Sequence, residues 1–317
     1  MPLRKLAGSL SRTWKRAATQ ACCFGWKSRR DSVPAVGFWL AGHWLRQRAD
    51  DVPVRSVESA AILFTVLLGF LELRHLMNDG DIYRPTGSLA EVSMQVAVSL
   101  ALAIGLERVR GRTRSIVHNV AALIIAGYAA LGAALGLFLL NNPALFGGDV
   151  GGLFINQILL AYGLNAVLMA ALALSTRRTR PRVYRVTATV LAVALALFYF
   201  TLEVTRIYHG RILTMGASSN AEQYTYSAVW LIFGVALLLV GIWLRSQPAR
   251  LCSAAVVLIT VLKVFVLDLA NLGGIFRALS FIGLGAVLVG IGLLYQRLLF
   301  PPRRPVPAAA PPPKPSD

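Results

Sequence analysis

The residues here that could do chemistry are charged side chains set at the ends of long apolar runs. Glu72, Arg74 and His75 close one run, and Glu91 opens the next. Glu203, Arg206 and His209 close another, and Glu222 opens its successor. Lys263 and Asp268 lie late in a further run, and Arg277 opens the last. Carboxylates beside cations can hold a polar ligand, pair with one another, or trade protons as general acid and base. Charge at membrane depth is costly, so it normally faces a bundle interior or a water-filled cavity. The candidate residues of an outward-facing polar site are therefore Glu72, His75, Glu203, Arg206, Glu222, Lys263, Asp268 and Arg277. Lys263 and Asp268 are five apart, about 140° round a helix, so a second helix must supply the lysine's partner.

Metal chemistry is the next possibility. Glu72-Leu-Arg-His75 has the Glu-x-x-His spacing of di-iron bundles, which puts both side chains on one face. A complete site needs a second such pair, and Glu203 and His209 fall on different faces. No zinc spacing, phosphate-cradling glycine loop or nucleophile elbow is present. No metal, cofactor or catalytic constellation is expected. His43 and His118 read as interfacial or internally satisfied histidines. The amides Asn141, Asn142, Asn156, Gln157 and Asn165 read as hydrogen-bonding across helices. Gly127, Gly132 and Gly136, with Gly283, Gly285, Gly290 and Gly292, read as points of close helix approach.

The elements that must position these groups are membrane spans. The chain has 317 residues, 56% hydrophobic and 15% charged, with a mean hydropathy of +0.62. A soluble domain runs nearer 25% charged, so a soluble globular protein is excluded. Three cysteines exclude a disulfide scaffold, and Cys22, Cys23 and Cys252 read as reduced thiols. A spanning helix needs about 20 apolar residues. Such stretches occur at about 57–77, 90–107, 116–140, 151–174, 184–207, 222–244, 250–270 and 276–298. The fold class is an all-α membrane protein, a bundle of about eight transmembrane helices.

The net charge of +18 is unevenly spread. Alternate loops carry Arg108 to Arg114, Arg177 to Arg185, Arg245 with Arg250, and Arg297 to Arg304, while the others carry Asp79, Asp81 and Asp149. The positive-inside rule makes the arginine loops and both termini cytoplasmic. Short scattered loops do not make a nucleic-acid groove, so the charge points to anionic lipid headgroups as partners. Other membrane subunits are further candidate partners. Residues 1–56 read as a basic cytoplasmic leader ending in a short interfacial apolar segment, 33–45, with Trp39 and Trp44. Residues 57–298 are the transmembrane domain, and 299–317 form a Pro-rich disordered tail.

The transmembrane domain partly repeats. A shift of 131 residues lays Leu71-Glu72 on Leu202-Glu203, Ala90-Glu91 on Ala221-Glu222 and Ala97-Val98 on Ala228-Val229. This suggests two parallel four-helix repeats, 57–174 and 184–298; the fourth and eighth spans show no clear match.

Several stretches resemble a known family. They are Lys263-Val-Phe-Val-Leu-Asp268-Leu, Phe276-Arg277-Ala-Leu-Ser280-Phe281-Ile-Gly283-Leu-Gly285 and Gly292-Leu-Leu-Tyr295-Gln296-Arg297. Asn156 with Ala161-Tyr162-Gly163-Leu164, Ala221-Glu222-Gln223-Tyr224-Thr225-Tyr226-Ser227, and Glu72-Leu-Arg74-His75 add to them. Together they are similar to the bacterial multi-pass membrane proteins of domain-of-unknown-function family 2339. The resemblance covers about residues 33–300, with residues 1–32 falling outside it, as a displaced reading frame would explain. It implies an integral protein of the bacterial inner membrane and cell envelope, shaped like the C-terminal part of longer members. It carries no established activity and no catalytic residues.

The sequence therefore reads as a non-enzymatic polytopic protein that binds or passes a small solute, lipid headgroup or glycan, with transport one form of that role. Two alternatives stay open. One is a membrane enzyme acting on an envelope lipid or lipid-linked sugar, with Glu72 or Glu203 and His75 or His209 as acid and base. The other is a structural subunit whose charges only pair, or a shortened chain without activity.

Overall fold

The structure is a computed structural model that describes residues 33, 36–42, 44–45, 52–78, 87–113, 115–152, 156–213, 219–268 and 275–299. Residues 1–32, with Cys22 and Cys23, as well as His43, Asp79, Asp81 and residues 300–317 of the Pro-rich tail, lie outside the described residues, as do the side chains of Asp268 and Arg277.

Long apolar runs give helices because backbone groups in lipid must be paired within their own segment. Helix α1 spans Val52–Met77, α2 Leu89–Thr113, and α3 Ile116–Leu131, which continues as a π-helix over Gly132–Leu140. A single turn, α4, follows at Pro143–Phe146. A second π-helix, Leu159–Leu164, runs into α5, Asn165–Ser175, and α6 spans Arg182–His209. Then come α7, Asn220–Trp243, and α8, Gln247–Lys263, which ends in a π-helix at Val264–Asp268, and finally α9, Ile275–Leu299.

The protein is an α-helical membrane protein, and among the described residues six helical segments are long and apolar enough to cross a bilayer. Two of the eight expected spans fall short of that mark among the described residues. The fourth apolar segment is Leu159–Ser175, and the last is Phe281–Leu293. The fourth was expected to start at 151. Instead Gly148–Asp149 forms strand β1, which pairs antiparallel with β2, Ile212–Leu213, and Gly151 bridges Asn156. The cause is glycine. Gly147, Gly148 and Gly151 all have positive φ, a region helices of L-residues do not use. At Gly147 an added Cβ would also lie 2.8 Å from the Leu213 carbonyl oxygen.

The chain forms two compact units, residues 1–217 and 218–317. In the first, α2 is the central helix, half buried where α1 is mostly exposed. Its core joins Val96, Leu100 and Ala103 of α2 to Ala126 and Ala129 of α3, Met169 of α5 and Leu195 of α6. Gly132 and Gly136 are points of close approach, since an added Cβ would meet Val96 and Val92 at 2.9 and 2.8 Å. Gly127, Gly285, Gly290 and Gly292 are not, because no described neighbour lies within 4 Å of such a Cβ. Tyr162, fully buried, donates its hydroxyl to the Leu137 carbonyl inside the first π-helix at 2.7 Å. The 36–42 segment packs on α1: Trp39 Nε1 donates to Thr65 Oγ1 at 3.0 Å, and the Phe38 and Phe64 rings stack at 5.2 Å.

In the second unit α7 and α8 form a tight hairpin. Ser253 Oγ donates to the Gly234 carbonyl at 2.7 Å, where a Cβ would stand 2.7 Å from Val257. Element positions recur at the 131-residue shift. Helix α2 begins at Leu89 and α7 at Asn220, α3 at Ile116 and α8 at Gln247. Glu91 N donates to Ser88 Oγ at 3.3 Å and Glu222 N to Ser219 Oγ at 3.2 Å. A π-helix closes both third members, from Gly132 and from Val264.

Candidate functional site

Two ends of the first unit can be told apart by their contacts. At one end the 87–89 turn, the 140–157 connection and β2 come together; at the other lie the arginine-rich loops. The first end holds a pocket of about 270 Å³. Its lining includes Ser88, Asn141, Asn142, Phe146, Asp149 and Gln157.

Each of these is placed by local chemistry. Asn142 caps α4, its Oδ1 accepting from Ala144 N at 2.9 Å, with Pro143 in the first turn where a missing N–H costs nothing. Asn141 and Asn142 donate to the Gly136 and Phe138 carbonyls at 3.1 and 3.0 Å. These two amides therefore close their own helix rather than bridging to another. Asp149 Oδ1 accepts from Gly151 N at 2.9 Å, and its Oδ2 lies 3.4 Å from Arg211 Nη2. Gln157 is held through its backbone, donating to the Val150 carbonyl at 2.8 Å. Its carboxamide makes no hydrogen bond among the described residues and stands on the pocket wall.

The expected charges support this wall from behind. Glu203 Oε1 accepts from Asn156 Nδ2 at 2.6 Å, and its Oε2 lies 2.7 Å from Arg206 Nη2. Arg206 Nη1 then donates to the Gly152 carbonyl at 3.1 Å. Asn156 Oδ1 accepts from Leu159 N at 2.6 Å, starting the helix that follows. Glu203 and Arg206 thus tie α6 to the segment bearing Gln157. Glu91 is 2% exposed; its Oε1 lies 3.3 Å from Gln95 Nε2 and 3.7 Å from Arg74 Nε. Glu72 and His75 are half-buried on the last turns of α1, and neither lines the pocket.

Glu222 and Lys263 belong to the second unit. Glu222 is 2% exposed and accepts from Tyr226 Oη at 2.6 Å. Lys263 Nζ donates to Ser227 Oγ at 2.8 Å and to the Gln223 carbonyl at 3.1 Å. These two partners come from a neighbouring helix. The backbones of Asp268 and Arg277 lie in the terminal π-turn of α8 and the start of α9. Among the described residues no three His, Cys, Asp or Glu side chains gather as metal ligands.

Apolar helices with capped polar ends describe a class of membrane protein, and the family comparison narrows it. The model of a family of predicted membrane proteins, DUF2339, matches residues 4–298. The chain belongs to that family. The match corrects the reading of residues 1–32 as foreign to it, since nearly all of them fall inside. An arginine-rich segment without a long apolar run offers little visible pattern, so it looked displaced. No curated protein and no solved structure matches the chain.

At the arginine-loop end this family member has two buried polar knots that the sequence did not reveal. Arg180 donates to Glu107 Oε1 through Nε, with Nη2 also 2.7 Å from that oxygen, and to Asn119 Oδ1 at 2.7 Å. Arg110 Nε holds the other Glu107 oxygen at 3.1 Å, and the Tyr184 ring lies 5.7 Å from the Arg180 Cζ. Glu58 Oε2 accepts from Ser115 Oγ at 2.6 Å, with His118 Nδ1 3.6 Å away. The available signal was Glu107, a lone acid in an arginine-rich helix end; Glu58, close after Asp50 and Asp51, carried no such signal.

Proposed function

We propose that the protein is a polytopic binding protein of the bacterial inner membrane whose polar pocket faces outward and holds a small hydroxyl-bearing solute, lipid headgroup or glycan. One observation carries this reading: the pocket of about 270 Å³ sets Ser88, Asn141, Asn142 and Gln157 beside apolar Leu89, Leu140, Phe146 and Val150. That volume is near the lower end for small-molecule sites, about 300 Å³. The Gln157 carboxamide offers both a donor and an acceptor, as a hydroxyl group requires. The one acid, Asp149, faces Arg211, so the lining favours a neutral ligand over an ion. In this reading Glu203 and Arg206 position the wall, and Glu72 and His75 stand beside the site. Glu222, Lys263, Asp268 and Arg277 form the corresponding polar end of the second unit. The arginine loops and both termini are cytoplasmic by charge bias. The 131-residue recurrence of caps, helix starts and π-turns supports an internal repeat of three helices, α1–α3 and α6–α8.

Native mass spectrometry of the gently solubilised protein tests the reading. A small adduct on the wild type that is absent from folded Gln157→Leu supports it. No adduct on the wild type, or one that survives in Gln157→Leu, refutes it. A structural reading gains weight from Glu107, Glu203 and Lys263, each bonded within the protein. It predicts the second outcome.

A further inference from the structure

The first unit carries a second concavity of different chemistry. It has a volume of about 230 Å³ and lies between α1, α2 and the 36–42 segment, with Ile125 of α3 also lining it. Its α2 wall is Ala101, Leu102, Gly105, Leu106 and Val109, a continuous stripe at helical spacing. That stripe is about 12 Å long at the helical rise per residue. Thr65 brings the only hydroxyl, and it is already used twice. It donates to the Ala61 carbonyl at 2.7 Å and accepts from Trp39 Nε1 at 3.0 Å. The indole N–H is used in the same bond, which fixes Trp39 as a wall.

A groove with no spare hydrogen-bonding group does not select a polar solute. In a bilayer the abundant molecule of matching shape is an acyl chain, and a stripe of about 12 Å seats the headgroup-proximal part of one chain. Charge decides which lipid. The next exposed residue along the stripe towards the arginine loops, one turn beyond Val109, is Arg112, with Arg108 one residue before Val109 and also exposed. A guanidinium forks onto phosphate oxygens through paired N–H donors, and two exposed arginines disfavour a headgroup that also carries a choline cation, so a net anionic lipid is selected.

We propose that this groove is a specific site for one acyl chain of an anionic phospholipid, whose phosphate is held by Arg112. The site is separate from the polar pocket and does not depend on it.

The test uses the full chain, delipidated in detergent and titrated with phosphatidylglycerol or phosphatidylcholine of the same chain length, with bound lipid counted by native mass spectrometry. Gly105 is the lever, because it lines the groove and no described neighbour lies within 4 Å of a Cβ placed there. Gly105→Leu puts a side chain into the groove and raises helix propensity. Gly127→Leu is the control, an equally open helical glycine away from the groove. The expected result is preferential retention of phosphatidylglycerol by the wild type and by Gly127→Leu. Gly105→Leu lowers that affinity about tenfold, a change of roughly 1.4 kcal/mol. Arg112→Gln keeps chain binding but brings phosphatidylglycerol down to the phosphatidylcholine level. Equal binding of the two lipids by the wild type, or unchanged phosphatidylglycerol binding by Gly105→Leu, overturns the proposal.

Discussion

Arg180 would be counted from sequence as one of many loop arginines that set orientation, yet its side chain is only 6% exposed and faces Glu107 at 3%. The pair is therefore a buried ion pair, and its removal has an asymmetric cost. Glu107→Leu leaves the Arg180 guanidinium buried with only Asn119 and the Tyr184 face, beside a second cation, Arg110. Breaking a buried pair in this way costs about 3–5 kcal/mol. Arg180→Met should cost less, about 1–3 kcal/mol, because Arg110 still bonds Glu107 at 3.1 Å. The double variant Glu107→Leu/Arg180→Met removes both charges and keeps the volume, so most of the loss should return. The coupling in the cycle should reach about 1–3 kcal/mol. Thermal unfolding of the detergent-solubilised protein measures it, at low and high salt, and the coupling should hold at high salt because buried pairs are weakly screened. Additive losses, with a double variant less stable than either single one, would refute the argument and make the pair an exposed contact of little worth.

Further outcomes follow from particular contacts. Gly136→Val should destabilise by about 1–3 kcal/mol through overpacking against Val92, whereas Gly127→Ala should be neutral or stabilising by up to about 1 kcal/mol; unfolding temperatures compare them. Tyr162→Phe removes the 2.7 Å bond to the Leu137 carbonyl, and leaving that buried acceptor unpaired should cost about 1–3 kcal/mol. Glu203→Gln loses the Arg206 charge partner and should speed hydrogen exchange across residues 148–157. It should also weaken the pocket adduct, although Glu203 does not line the pocket. An unchanged exchange rate there would show that the tie does not hold the wall.

The helices were legible because continuous apolar runs leave the backbone no other way to pair its polar groups. Their partners were less so. Lys263 bonds Ser227 and Gln223 on another helix, partners that spacing can require without naming. The fourth helix was placed too early because composition weighs apolar residues and does not see positive φ at Gly147, Gly148 and Gly151. Asn141 and Asn142 were read as bonds between helices. A π-helix ending just before them leaves carbonyls that the two amides satisfy locally, and no side-chain pattern announces such a widening. The pocket was hidden for the same reason: its lining comes from a turn, a cap and a two-residue strand, none of which has a period.

The proposed repeat explains why polar groups differ so much between the two hairpins while the backbone recurs. At the 131-residue shift Val96 and Gly132 correspond to Ser227 and Lys263. In the first hairpin a Cβ at Gly132 would meet Val96 at 2.9 Å. In the second, Lys263 Nζ meets Ser227 Oγ at 2.8 Å. The two contacts occupy the same place between the second and third helices of the unit. A lysine at 132 would press a cation against the Val96 methyl group and lack its hydroxyl acceptor, which is costly in a low-dielectric interior. A glycine at 263 would leave the Ser227 hydroxyl without that partner. On the proposed repeat the two positions are therefore coupled. Gln95 and Tyr226 also correspond, and both bond the carboxylate four residues earlier. The capped acids Glu91 and Glu222 are then what the two hairpins share, and the pair behind each of them is where they differ.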